Sequence, residues 1–255
     1  MPSFPPVETA SSIDQVIDQL SAVIDWSRAA PSRLGYFAAL YRKVTLQVRD
    51  GIAAGDFDDD PRMERFDVAF ANRYLQALVD AANGVSPSRV WAFAFGATDD
   101  YWPIVLQHLL LGMNAHINLD LGIAAAQTMR GEPLEDLRDD FIRINAILAA
   151  LVMDVQEELA EIWMTLRLLD SLLGDLQDGL INFSMEHARD EAWRTAVRFW
   201  NLPEADWPAA TREQDGRLLP IASRVRRPGL LLGTVTHIVR LGEVQDVGRV
   251  VDILA

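Results

Sequence analysis

The sequence predicts an all-α protein, a single-domain array of about seven to ten helices with two long central ones. Apolar residues recur at helical spacing along most of the chain. No β-hairpin signal recurs and no internal repeat divides the sequence. Half of the 255 residues are hydrophobic, enough for one large core. No linker is long enough to separate two domains, so residues 1–255 read as one helical domain, with 1–10 as an extended lead-in.

Ser12 can cap a first helix carrying Ile13, Val16, Ile17, Leu20, Val23 and Ile24, which runs to about Ser27. Pro31 breaks it. A second helix is expected from Leu34 to Ala54, stopped by Gly55. The acidic turn Asp56-Phe57-Asp58-Asp59-Asp60-Pro61 opens a third, with Pro61 in its first turn, reaching to near Gly84. Val90–Phe95 fits a short strand or a helical turn equally. The next helix is expected from Asp99 to Thr128, with Thr98 as its cap, and Arg130–Pro133 ends it. A long helix follows from Leu134 or Glu135 to about Ser171, with a break at Gly174 and Gly179. Another covers about Leu180 to Phe199. Leu202–Pro208 reads as a loop with a short helical start, Arg226–Gly229 as the last clear turn, and Leu230–Leu254 as one or two helices.

The formal net charge is −14. That balance argues against general nucleic-acid binding, which needs a cationic footprint, and against docking on anionic membranes. Lys43 is the one lysine; the remaining basic residues are arginines. The chain has no cysteine, which excludes disulfides, cysteine–zinc sites and thiol nucleophiles. Met1–Glu8 lacks the basic and apolar regions of a signal peptide, so a cytoplasmic location is expected. Ile104–Ala126 is long and apolar, but His108, Asn114, His116, Asn118 and Asp120 are costly in hydrocarbon and argue against membrane insertion.

The segment Gly112-Met113-Asn114-Ala115-His116-Ile117-Asn118-Leu119-Asp120-Leu121 concentrates the candidate chemistry. Polar groups in an apolar helix are costly unless each finds a partner. His116 and Asp120, four apart, share a helical face, and Asn114 and Asn118 share another. A His and an Asp so spaced can hold one divalent cation or hydrogen-bond to each other. A metal site needs ligands from a facing helix, and Glu158, among Glu157, Glu158 and Glu161, is the expected third. No Glu-x-x-His pair supports a diiron centre. Asn145 interrupts an apolar stripe, and its expected partner is His116, Asn118 or Asp120. His108 lies about 80° around an ideal helix from His116, suiting one cavity better than one metal.

Asp58–Asp60 and Asp99-Asp100 resemble superficially the aspartate clusters of magnesium-dependent terpenoid enzymes. Charge runs at helix starts usually serve as solvated caps. There is no Gly-x-Ser-x-Gly elbow, glycine-rich phosphate loop or dinucleotide fingerprint.

Leu111–Leu121 resembles the signature segment of DUF5995, a family of helical bacterial proteins. Asp140-Phe141-Ile142-Arg143-Ile144-Asn145 and Ala188-Arg189-Asp190-Glu191-Ala192-Trp193 are compatible with it. The resemblance implies a helical fold and that 112–121 acts as a unit; it implies no substrate. Two functions are expected from the residues. One is an enzyme, or a metal- or cofactor-dependent protein, with His116, Asn118, Asp120 and Asn145 as its catalytic set. The other is a non-catalytic protein that binds an apolar small molecule or a protein partner, with the same residues holding helices together.

Overall fold

The computed structural model describes residues 3–163 and 185–255; some side chains there, Asn145 and His187 among them, lie outside the described set. Eleven α-helical stretches and no strand occur among the described residues. They are α1 Ile13–Ala29, α2 Leu34–Ala54, α3 Asp60–Ala82, α4 Arg89–Gly96, α5 Val105–Ala115, α6 Gly122–Thr128, α7 Arg138–Ile162, α8 Met185–Asn201, α9 Trp207–Arg226, α10 Gly229–Gly242 and α11 Val247–Leu254.

α5 and α6 are two ends of one rod, joined by a π-helical segment over His116–Leu121. This rod is long and apolar enough to cross a bilayer by length and composition, yet it is almost wholly buried inside the protein. α2, α3, α4, α8 and α9 all pack against it, and α4 also packs on α9. α1 and α11 lie outside α2, and α7 packs on α2 and α11.

Local chemistry sets most helix starts. Ser12 accepts a hydrogen bond from the Gln15 amide at 3.3 Å, and Asp59 from the Arg62 amide at 2.9 Å with Pro61 in the first turn. α2 ends on Gly55 with a φ of 73°, a left-handed conformation that glycine adopts without penalty. Val90–Phe95 proves helical. Its N-terminus is capped from a distance: buried Asp215 on α9 accepts from the Arg89 and Val90 amides at 2.8 and 2.9 Å.

Three expectations shift. The rod starts at Val105 rather than Asp99, because Pro103 cannot continue a helix from before it; the Thr98 hydroxyl donates instead to the Phe95 carbonyl at 2.6 Å. A full helix runs from Trp207 to Arg226 through Pro220, held by burial of Ala210, Leu218 and Ala222 and by Asp215. The long helix after Pro133 begins as a 3₁₀ turn and its α-helical part ends at Ile162; what was expected of Met164–Ser184 lies outside the described residues. The lead-in is tied down by Asn72, whose amide exchanges two hydrogen bonds with the Ala10 backbone at 2.8 and 2.9 Å.

Candidate functional site

The π-helical segment carries the polar cluster. Its i→i+5 bonding makes each turn wider than an α turn, a geometry often found at functional sites. Gly112 and Gly122 bracket it because neither position has room for a side chain. A Cβ on Gly112 would lie 2.4 Å from the Phe37 ring, and one on Gly122 would lie 2.4 Å from the Ala192 carbonyl.

Asp120 is the centre of the cluster. Its Oδ1 accepts from Arg73 Nε at 2.8 Å, and its Oδ2 from the Trp91 indole at 2.8 Å. His116 Nδ1 lies 3.4 Å from Oδ2. Burial opposes ionisation of Asp120, but the Arg73 charge and the His116 and Trp91 hydrogen bonds outweigh it and hold the carboxyl below its ordinary range. An ionised carboxylate only accepts, so Nδ1 of His116 carries the proton and Nε2 is left with a lone pair. Nε2 is buried and has no hydrogen-bond partner among the described residues. Burial also lowers the His116 pKa, more than Asp120 restores it, so the ring is neutral at pH 7.

Five aromatic rings wall in this imidazole. Phe70 stacks on it with centroids 3.6 Å apart and 9° between planes. Tyr41 meets it edge-on at 4.4 Å, and Phe37, Tyr74 and Trp91 lie within 5.8–6.0 Å. α2, α3 and α4 supply these rings from the side of the rod that His116 faces. Beside the cage is a cavity of about 20 Å³ lined by Phe37, Tyr74, Trp91, Gly112, His108 and Arg33, room for about one water molecule. His108 is buried and its pKa is pushed down to about 3, by burial first and then by Arg33 and Arg240. The Pro103 carbonyl opposes that shift, but among the described residues neither ring nitrogen completes a hydrogen bond.

Asp67, one turn before Phe70 and Ala71 on α3, was not singled out from the sequence. It is buried, its Oδ2 has no partner among the described residues, and burial with help from Glu64 pushes its pKa up to about 7. Its charge is felt at the Tyr41 hydroxyl, which burial has already raised well above its ordinary value. Arg73 and Trp91 were also missed as partners of Asp120, since nothing local in the sequence links α3 or α4 to the rod.

The structure thus brings together His116 and Asp120 and leaves other expected members elsewhere. Asn118 donates its side-chain amide to Asn114 at 3.0 Å, and its backbone carbonyl accepts from Gln214 of α9 at 3.3 Å, so the two asparagines bond to each other rather than to the dyad. Glu158 pairs with Lys43 of α2. With Arg73 occupying Asp120 and Lys43 occupying Glu158, the expected metal set His116, Asp120 and Glu158 is not assembled. Among the described residues no group of three His, Asp or Glu side chains could hold a metal ion. The side chain of Asn145 lies outside the described residues. The acidic runs act as caps and ion pairs: Asp58 with Arg143 at 2.6 Å, Asp59 at the start of α3, Asp100 with Arg226.

Fold and site together define an all-helical protein built around one buried rod, whose polar centre is an Asp-anchored histidine in an aromatic cage. The family model described as "Family of unknown function (DUF5995)" matches residues 13–228, and the chain belongs to that family. The matched region contains the whole cage. Comparison with curated proteins and with solved structures gives no match.

Proposed function

We propose that the protein binds a compact, largely apolar molecule in the aromatic cage and that His116 Nε2 takes a hydrogen bond, or a proton, from it. One observation carries this reading: every other polar atom of the dyad is engaged, while Nε2 is buried with a free lone pair. Leaving such an acceptor unmet costs on the order of 1–3 kcal/mol, which a ligand donor would recover. Asp120 fixes the tautomer and orientation, and Arg73 and Trp91 fix Asp120. In an acid–base reaction His116 would be the base, and Asp67, buried and protonated below about pH 7, would be an acid for it. The cavity of about 20 Å³ is too small for an organic ligand, so binding requires the Phe37, Tyr74 and Trp91 rings to turn aside.

A second reading rests on a different observation. Both oxygens of Asp120 are engaged and the dyad is sealed from solvent, as expected of a polar junction that fixes the register of α3, α4 and the rod.

The test is a titration with phenol, indole and benzene, followed by NMR of the imidazole nitrogens and by thermal unfolding. Ligand binding predicts that phenol or indole shifts the Nε2 resonance and raises the unfolding temperature, and that His116→Gln abolishes both effects. If none of the three perturbs His116 and His116→Gln only destabilises the fold, the junction reading stands instead.

A further inference from the structure

The cavity beside the cage ends on an unmet imidazole. His108 lines it, is 5% exposed, and has no hydrogen-bond partner on either ring nitrogen among the described residues. Phe37, Tyr74, Trp91 and Gly112 are buried in its wall, whereas Arg33 and Thr98 are half-buried and mark its outer side. The charges around His108 do not balance. Three guanidinium groups are felt at the ring, those of Arg33, Arg240 and Arg226. Arg226 bonds to the Asp100 carboxylate, and Arg240 to that of Glu243 at 3.0 Å. Arg33 has no carboxylate partner among the described residues; its Nη1 donates to the Thr98 and Asp100 carbonyls, both at 2.8 Å. It also caps the N-terminus of α2, whose first turn holds no acidic residue, so the positive end of the helix adds to its charge. Tyr36 meets the imidazole edge-on at 5.7 Å and is neutral, its hydroxyl pushed up to about 12, by burial first.

We propose that this cavity is a site for one small monovalent anion, chloride or formate in size, held between Arg33 and His108. One positive charge is left over on its outer side, and an unmet imidazole lies within. A water molecule would satisfy a ring nitrogen but leave the charge. A volume of about 20 Å³ excludes a larger anion such as sulfate. The Pro103 carbonyl favours an N–H on the imidazole. In the neutral ring the other nitrogen keeps a lone pair, which repels an anion. Entry of the anion therefore brings a proton from solvent onto that nitrogen. The imidazolium then donates to the carbonyl and to the anion, and one proton is taken up for each anion bound. The site is separate from His116 Nε2, because an ion of this size enters without turning the Phe37, Tyr74 and Trp91 rings. The net charge of −14 opposes any anion, so weak binding is expected.

NMR of the imidazole nitrogens of the full chain, titrated with sodium chloride and separately with sodium formate, tests this. Sodium sulfate holds the ionic strength constant. The expected result at pH 5 is a saturable move of the His108 resonances toward the imidazolium pattern, with a dissociation constant on the order of 1–100 mM and His116 unmoved. Affinity is expected to fall about tenfold per pH unit between pH 4 and pH 6, as one proton per anion requires. Arg33→Gln is expected to abolish binding, and Arg33→Lys to keep it within about tenfold, both with unchanged helical circular dichroism. Where the Arg33 variants fail to fold, His108→Gln decides: line broadening of the chloride resonance is expected to lose its pH dependence. No saturable shift with either anion leaves the cavity to water and overturns the proposal. Binding that survives Arg33→Gln, that is indifferent to pH, or whose pH dependence survives His108→Gln overturns it as well. A response to only one of the two anions supports the site and assigns it to halide or to carboxylate.

Discussion

Arg73 reaches from α3 to the rod and donates to Asp120 at 2.8 Å, the one cationic side chain among the described residues on the buried carboxylate at the centre of the protein. Removing it strands a buried charge. Arg73→Met is expected to cost about 3–5 kcal/mol in urea unfolding at pH 7, and adding Asp120→Leu to recover part of that loss, since it removes the stranded charge but leaves the Trp91 and His116 donors unpaired. If the double variant were as unstable as the single one, Asp120 would hold the fold through Trp91 and His116 rather than through the ion pair.

Trp91 offers a gentler cut. Trp91→Phe keeps most of the ring packing against Phe37 and Tyr74 but removes the indole donor to Asp120. The expected loss is about 1–3 kcal/mol, with helical circular dichroism unchanged. The His116 resonance should move as well, because one of the three hydrogen bonds that fix its carboxylate is gone.

Two buried groups pull the pH dependence of stability in opposite directions. The folded-state pKa of His108 is depressed to about 3. The stability due to its neutral form is therefore full above the unfolded value of about 6.5 and is lost as the pH falls toward 3. The folded-state pKa of Asp67 is raised to about 7. Its contribution is full below about pH 4 and is lost as the pH rises through 7. Asp67→Asn should accordingly stabilise the protein by on the order of 2–4 kcal/mol at pH 8 and hardly at all at pH 4. His108→Leu should flatten the acid limb between pH 6 and pH 4. Urea denaturation at pH 4, 6 and 8 separates the two effects.

The glycines flanking the polar segment should differ in tolerance. A methyl group on Gly112 meets the Phe37 ring, which is a side chain and can turn; on Gly122 it meets the Ala192 backbone carbonyl, which cannot turn without moving α8. Gly112→Ala is expected to cost about 1–3 kcal/mol and Gly122→Ala more, both read from thermal unfolding.

Legibility followed the range of the interactions. Helix starts set by a neighbouring side chain, as at Ser12 and Asp59, could be read from spacing alone, and so could the i,i+4 pairs His116–Asp120 and Asn114–Asn118. What escaped was long-range. Arg73 and Trp91 lie 47 and 29 residues from Asp120, and the Asp215 cap on α4 comes from 126 residues away. Asp67 looked like one more polar residue on an amphipathic helix, since nothing adjacent marks it as buried. Glu158 was legible as a carboxylate of the long helix, but its attraction to Lys43 depends on how α2 and α7 meet.

The six-residue π segment in the rod has a mechanical consequence. One residue more than an α-helix needs turns everything downstream by about 100° about the rod axis. The segment therefore acts as a phase shifter: α5 is indexed to Phe37 through Gly112, and α6 to α8 through Gly122, and the two alignments coexist because the extra residue takes up the angular mismatch. Deleting a single residue between His116 and Leu121 would let the rod relax to a plain α-helix, and it could then satisfy α2 or α8, but not both.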